Sequence, residues 1–184
     1  MLDISVSYNR FSFLGYEFLT WLWFMIEKDP RSLASNPGKP VSFDVGNRIV
    51  IENRMGADAL ETITIKGDDA GLEEALLALR KGAMVSEMNL LYREADHEWQ
   101  FTLKGESLHL ASVKTPKTDR VTSGESVEGA LLEKTYLYEC LITAIRTLYQ
   151  QFIQLRLSND WQAQVVPRLK DWIHAENAFG KQSE

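Results

Sequence analysis

The stretch FSFLGYEFLTWLWFMIEK, from Phe11 to Lys28, decides which fold this chain can adopt. Ser12 suits a helix N-cap, and apolar residues at positions 14, 18, 21, 22 and 25 follow helical spacing. Other aromatic and aliphatic residues widen this apolar face until little polar surface remains, so the predicted helix must be enclosed on most sides. Asp29-Pro30 should end it, because the residue before a proline is pushed out of the helical region.

A membrane span is the alternative interpretation of this stretch. Its apolar run is shorter than the ~20 residues that a span needs, and a carboxylate such as Glu17 in its middle is costly in hydrocarbon. We therefore expect a buried core helix. In such a helix Glu17 needs a partner, and a structural ion pair with an arginine is preferred over a role in acid-base chemistry.

Length and composition describe an ordinary globular protein. The chain has 184 residues, 45% of them hydrophobic and 25% charged, which suits one domain or a core with an appended helical piece. A net charge of −6 favours solubility and argues against nucleic acid as a partner, although it does not exclude a local basic patch. The first ten residues lack the pattern of a secretory signal. The single cysteine, Cys140, forbids an intramolecular disulfide, so a cytoplasmic location is predicted.

Strand patterns begin after a loop from Arg31 to Lys39. Apolar and polar residues alternate from Val41 to Val45, and Gly46-Asn47 suits a two-residue hairpin turn. The returning strand would run from Arg48 to Asn53. A third strand, Leu60 to Lys66, is predicted to pair antiparallel with it.

The period then changes to that of a helix and back again. Leu72, Ala75, Leu76 and Leu79 predict a short amphipathic helix with Gly82 as its C-cap. Three further strands are expected at Val85 to Tyr92, Trp99 to Leu103 and Ser107 to Val113, with a turn at Ala95-Asp96. The predicted fold class is α+β, with an antiparallel sheet of five to six strands covered by the aromatic-rich N-terminal helix. This core would occupy residues 1–113.

The C-terminal part is predicted to be a helical hairpin, 127–176, that follows a basic linker or loop, 114–126, and precedes a tail, 177–184. Its first helix would run from Val127 to Leu157 and span ~45 Å at 1.5 Å per residue, so part of it should project and meet another copy. The apolar stripe proposed for that homodimer interface contains Leu137, Leu141, Leu148 and Phe152. A second helix, Asp160 to Ala175, should be kinked or divided at Pro167.

A search for catalytic or metal-binding residues gives little. His97, His109 and His174 do not pair with one another or with Cys140 at ligand spacing, so no metal site is predicted. Gly67-Asp68-Asp69 is better explained as a helix start than as a cation site. Cys140 is expected to be a small buried hydrophobe. The sequence therefore predicts no enzyme, no cofactor and no small-molecule substrate.

Four short motifs resemble a known family. The run FLGYEFLTWLW, Phe13 to Trp23, is similar to a stretch of the RdgC family of bacterial recombination-associated DNA-binding proteins. DAGL at 69–72, WQFTL at 99–103 and EGALLE at 128–133 are similar in the same order. The resemblance implies a non-enzymatic dimer, associated with the nucleoid, that encircles duplex DNA with little sequence preference and restrains recombinase loading.

Contact with DNA phosphates would need clustered basic side chains. The candidates for this contact are Lys114, Lys117 and Arg120 in the linker, and Arg168 and Lys170 in the last helix. Two functions follow as hypotheses. One is a sequence-nonspecific DNA-binding accessory protein of recombination. The alternative is a protein-interaction or assembly subunit, within a homo-oligomer or a larger complex, that makes no DNA contact.

Overall fold

A computed structural model describes residues 13–33, 41–55, 59–66, 69–117 and 127–175. Its helices are α1 (Phe13–Lys28), α2 (Asp69–Arg80), α3 (Val127–Leu157) and α4 (Val166–His174). Its strands are β1 (Val41–Met55), β2 (Ala59–Lys66), β3 (Met84–Glu94), β4 (His97–Lys104) and β5 (His109–Lys114). A 3-10 turn at Pro30–Leu33 and a π-helical turn at Trp161–Val165 complete the described elements. The predicted α+β class is confirmed.

The five strands form one antiparallel sheet in the order β2-β1-β3-β4-β5. One face is apolar and buried, with residues such as Ile51, Leu90 and Phe101 at its centre. The register places charged residues such as Asp44, Glu87 and Lys104 on the opposite face. Because side chains along a strand alternate between the two faces of the sheet, the helices need to cover only the apolar face.

The helix α1 lies between this sheet and the C-terminal helices. It packs on β3, and its Phe18 and Trp21 rings lie 5.5 and 5.6 Å from the ring of Phe152 in α3. Trp23 meets Trp172 of α4 edge to face at 5.0 Å. The prediction that an aromatic-rich helix covers the sheet is therefore confirmed. Within the described ranges, no helix is both long enough and apolar enough to span a bilayer.

The predicted hairpin at Gly46-Asn47 is wrong, because β1 continues through these two residues. Val45 pairs with Leu90 of β3 and Ile49 pairs with Met88, so four steps on β1 oppose two steps on β3. The extra residues form a bulge, which lets both halves of β1 stay on β3 with their apolar side chains facing the core. A Cβ atom added at Gly46 would lie 2.1 Å from Oδ1 of Asn89, so this bulge depends on glycine.

Other predicted boundaries are confirmed. The helix α1 ends at Lys28 before Pro30, and α2 ends at Arg80 and is capped by Gly82, whose φ is 91°. The Gly82 and Ala83 N–H groups donate to the carbonyls of Leu79 and Ala78 at 3.0 and 3.1 Å, the two bonds of a Schellman motif. The suggested cap at Ser12 lies outside the described residues.

The C-terminal helices follow the predicted pattern. The helix α3 has 31 residues and the predicted bounds. A π-helical turn separates it from α4, and Pro167 lies in the first turn of α4, where a missing N–H group breaks no helical hydrogen bond. Buried residues of the sheet and all four helices join in a single hydrophobic cluster. The C-terminal helices therefore complete the core.

Candidate functional site

Two of the predicted DNA-binding residues lie at one edge of the sheet. Lys114 ends β5, where its exposed Nζ donates a hydrogen bond to Oε1 of Gln100 at 2.9 Å. Lys117 is exposed three positions further along. Arg120 lies outside the described residues. The edge thus presents two neighbouring lysines, of which one has a neutral partner.

The other two predicted residues lie elsewhere. Arg168 and Lys170 are exposed on α4, and the guanidinium of Arg168 lies 5.5 Å from the centre of the Phe24 ring. The helix α4 packs on α2, which packs on β2 and β1, at the edge opposite β5. Four strand spacings of ~4.8 Å separate the two edges, about 19 Å in all. The described members of the predicted basic set therefore lie on different elements, two at the β5 edge and two on α4.

The open face of the sheet is mixed in charge. Glu87 accepts contacts from Arg48 at 3.6 Å and Lys104 at 3.2 Å. Arg93 contacts Asp44 and donates to Glu98 at 2.7 Å. Acidic neighbours therefore offset the basic side chains that this face presents.

The residues predicted for the dimer interface are buried in the fold of the chain itself. Leu137, Leu141, Leu148 and Phe152 are at most 5% exposed. The ring of Phe152, for example, contacts the rings of Phe18, Trp21 and Trp161. Their stripe is the face of α3 that packs on the rest of the chain, so this part of the prediction is corrected.

Other apolar residues of α3 face solvent. From residue 127 to residue 136 every side chain is exposed except that of Ala130, which is half-buried. Val127, Leu131 and Ile142 are 80%, 64% and 51% exposed, and the side chains of Leu132 and Tyr136 are also open. The first turns of α3 therefore project beyond the core, as the helix length predicted.

Three of these exposed residues and the half-buried Tyr138 share one line along the helix. Val127, Leu131, Tyr138 and Ile142 follow one another at steps of four, seven and four residues. At 100° per residue they fall within an arc of about 60°. We call this set the outer stripe. Sequence reasoning missed it because the stronger buried stripe on the same helix dominates the apolar pattern.

A cavity of about 450 Å³ opens on another side of α3, between this helix and the ends of β1 and β3. We call it the α3 cavity. From the sheet it is lined by Val41, Phe43, Tyr92 and Glu94, and from the helix by Tyr136, Glu139, Cys140, Thr143, Ala144 and Thr147. Cys140, which was expected to be buried, is half-buried in this lining.

Two stacked aromatic rings and a carboxylate line the sheet side of the α3 cavity. The rings of Phe43 and Tyr92 stack with centroids 4.7 Å apart. The Tyr92 hydroxyl donates a hydrogen bond to Oε2 of Glu94 at 2.9 Å. Burial, and then the bond to Glu94, raises the pKa of Tyr92 well above its ordinary value, so the phenol stays a donor.

Other kinds of site find no support in the described part of the chain. There, no group of three or more His, Cys, Asp or Glu side chains is placed to hold a metal ion.

No family model matches the chain, nor does any curated protein or solved structure. The resemblance to the RdgC family stays a prediction that rests on the four motifs. Functional proposals therefore rest on those motifs and on the geometry of α3.

Proposed function

We propose that this protein is an assembly subunit, and that the outer stripe of α3 pairs with the same stripe of a second copy. The exposed apolar stripe is the observation that carries the proposal. Full burial of a Val, Leu or Ile side chain contributes roughly 1.5–3 kcal/mol of favourable free energy. Burying the three exposed aliphatic residues of the outer stripe in an interface would therefore favour association of two copies. The neighbouring face of the helix, which contains Leu141 and Leu148, is already in the core.

The spacing of the outer stripe favours a second copy over an unrelated partner. Its steps of four, seven and four residues are the same in either direction along the helix. In an antiparallel pair, Val127 would face Ile142 of the second copy and Leu131 would face Tyr138 of the second copy. The twofold axis would pass between Lys134 and Thr135. Such a self-complementary surface is what a twofold dimer requires.

Light scattering over a range of protein concentrations tests the association. We expect the mass of a dimer, which falls toward that of a monomer on dilution. A monomeric mass at every concentration, up to the solubility limit, would overturn the proposal.

Cysteine cross-linking in a Cys140→Ser background tests the orientation. Thr135→Cys lies beside the proposed axis and should form a disulfide with its own copy under oxidation. Val127→Cys is the matched control, because antiparallel pairing separates its two copies by the length of 15 residues, about 22 Å, which no disulfide can span. Cross-linking of Val127→Cys in place of Thr135→Cys would show a parallel pair and contradict the proposed arrangement.

DNA binding is the second candidate function. The resemblance to the RdgC family supports it, together with the neighbouring lysines Lys114 and Lys117 at the β5 edge. It predicts that the protein retains duplex DNA in a mobility assay and that added salt weakens the retention steeply. Absence of retention at low salt would overturn it without affecting the assembly proposal. The separation of the described basic residues favours assembly as the first candidate.

A further inference from the structure

The α3 cavity exists because the helix presents short side chains where it passes over the sheet. Cys140, Thr143, Ala144 and Thr147 occupy this side of α3, and they do not reach far enough to fill the gap. The volume of about 450 Å³ lies within the range of pockets that hold small ligands, roughly 300–1,000 Å³. The gap can therefore admit a compact molecule.

Its floor is aromatic and held in place. Phe43 and Tyr92 line this floor, and Trp99, which lies outside the lining, continues their row across β1, β3 and β4, with ring centroids 4.7 and 5.0 Å apart along it. The indole N–H of Trp99 donates a buried hydrogen bond to the Leu137 carbonyl of α3 at 3.1 Å. This bond fixes the helix above the row, so the cavity is formed before any ligand arrives.

The charged side chains among the described lining residues of the α3 cavity are acidic. Carboxylates reach it from both layers, Glu94 from the sheet and Glu139 from α3. The Tyr92 hydroxyl holds the Glu94 carboxylate at the floor through their 2.9 Å hydrogen bond. Among the described lining residues none is Lys, Arg or His. A ligand would therefore meet two acids and no described base.

From these features we propose that the α3 cavity binds a small organic cation, an ammonium group carried on a compact apolar body. The two carboxylates attract a cation by direct ionic contact, and the rings of Phe43 and Tyr92, whose faces cover one another, add apolar surface. The aliphatic and small side chains of Val41 and Ala144 suit the apolar body. This site is independent of the outer stripe, because it uses another side of α3.

Three probes with one carbon skeleton separate charge from apolar fit. These are 2-phenylethylammonium, 2-phenylethanol and phenylacetate, each titrated into the full chain by calorimetry. We expect the ammonium compound to bind about tenfold more tightly than the alcohol, on the scale of a hydrogen bond to a charged group, and phenylacetate not to bind. Equal affinity for the ammonium compound and the alcohol would overturn the proposal, as would a preference for phenylacetate or no binding of any probe at millimolar concentration.

Variants locate the site. Glu139→Gln should weaken binding of the ammonium compound several-fold and leave binding of the alcohol unchanged. Glu106→Gln is the matched control, because it removes the same charge from an exposed residue of the β4–β5 turn, at the other end of the sheet. Ala144→Phe should fill the cavity and abolish binding, with circular dichroism to verify the fold. If that variant unfolds, Thr147→Met fills the same space more mildly. Unchanged affinity in Glu139→Gln and in the folded filling variant would place the ligand elsewhere and overturn the assignment.

Discussion

Arg156 donates a hydrogen bond from Nε to Oε2 of Glu17 at 2.8 Å, between residues 139 positions apart in the chain. Both side chains are about two-thirds buried, with 30% and 33% exposure. The same guanidinium lies 5.3 Å from the centre of the Trp161 ring. One arginine thus links α1 to the end of α3 and to the π-helical turn. It also supplies the partner that the carboxylate of the aromatic helix was expected to need.

Removing either partner of this ion pair should lower the free energy of unfolding. We expect a loss of about 1 kcal/mol for Glu17→Gln, since the pair is partly exposed, and about 2 kcal/mol for Arg156→Met, which also loses the contact with Trp161. Urea unfolding followed by tryptophan fluorescence measures both. Arg168→Met is the control, because Arg168 lies over Phe24 on an exposed site. A larger loss in the control than in Arg156→Met would contradict the role given to Glu17.

The stability of the protein should depend on the charge of Glu27. Burial raises the pKa of this carboxyl above its ordinary value of 4.5, against smaller opposite effects of the Trp23 indole and Lys28. A folded-state pKa above that of the unfolded chain means that ionisation costs stability as the pH rises through it. Glu27→Gln should therefore unfold at a higher temperature than the parent at neutral pH. The difference should vanish below the ordinary pKa, and thermal melts at both pH values check this.

The bulge in β1 should tolerate no side chain at Gly46 while Asn89 is present. The Cβ of Gly46→Ala would lie 2.1 Å from Oδ1 of Asn89, so we expect a loss of about 1–3 kcal/mol from overpacking. Asn89→Ala also destabilises, because its Nδ2 donates to the Phe101 carbonyl at 3.0 Å. The double variant should lose less than the sum of the two, as measured by a denaturant double-mutant cycle.

A matched glycine sharpens this prediction. A Cβ at Gly15 would lie 1.8 Å from the backbone carbonyl oxygen of Gly105. A backbone atom cannot be removed by substitution, so Gly15→Ala should be more destabilising than Gly46→Ala and should have no side-chain rescue. Strict additivity in the Gly46 and Asn89 cycle would contradict the contact between them.

The outer stripe predicts a difference between two adjacent leucines. Leu131→Glu places a charge in the proposed dimer contact and should raise the dissociation constant by at least tenfold, which corresponds to about 1.4 kcal/mol. Leu132→Glu is the control, since it lies about 100° away around the helix and is equally exposed at 63%. Analytical ultracentrifugation compares the two. Equal weakening by both substitutions would indicate an interface other than the outer stripe.

Local patterns were enough to predict most of the elements. The bounds of α3 and the sequence of strands from β2 to β5 follow from apolar periodicity and from turn residues such as Ala95-Asp96, all of which lie within a few residues of one another. Gly46-Asn47 was different. A glycine-asparagine pair suits a hairpin or a bulge, and the choice depends on pairing with β3, some forty residues further along the chain.

The functional surfaces depend on similar long-range information. Periodicity shows that Leu137 and Leu148 share a face of α3, but not whether that face meets its own chain or another. The α3 cavity is further from prediction still, because its size depends on how far α3 stands above the sheet. The four short side chains between Cys140 and Thr147 are visible in the sequence. Short side chains on a helix are compatible with close helix packing as well as with a cavity, and only the position of the helix above the aromatic row of the sheet decides between the two.

The contacts of α1 with Phe152, Arg156 and Trp172 have a consequence for how the protein is made. A ribosome releases the aromatic helix well before the residues that enclose it. Until about residue 172 has emerged, the side chains of Trp21 and Trp23 lack part of their cover, and exposed apolar surface of this kind favours aggregation. A nascent chain therefore gains its closed core only after α4 has emerged, and truncation before α4 should yield a product that chaperones retain.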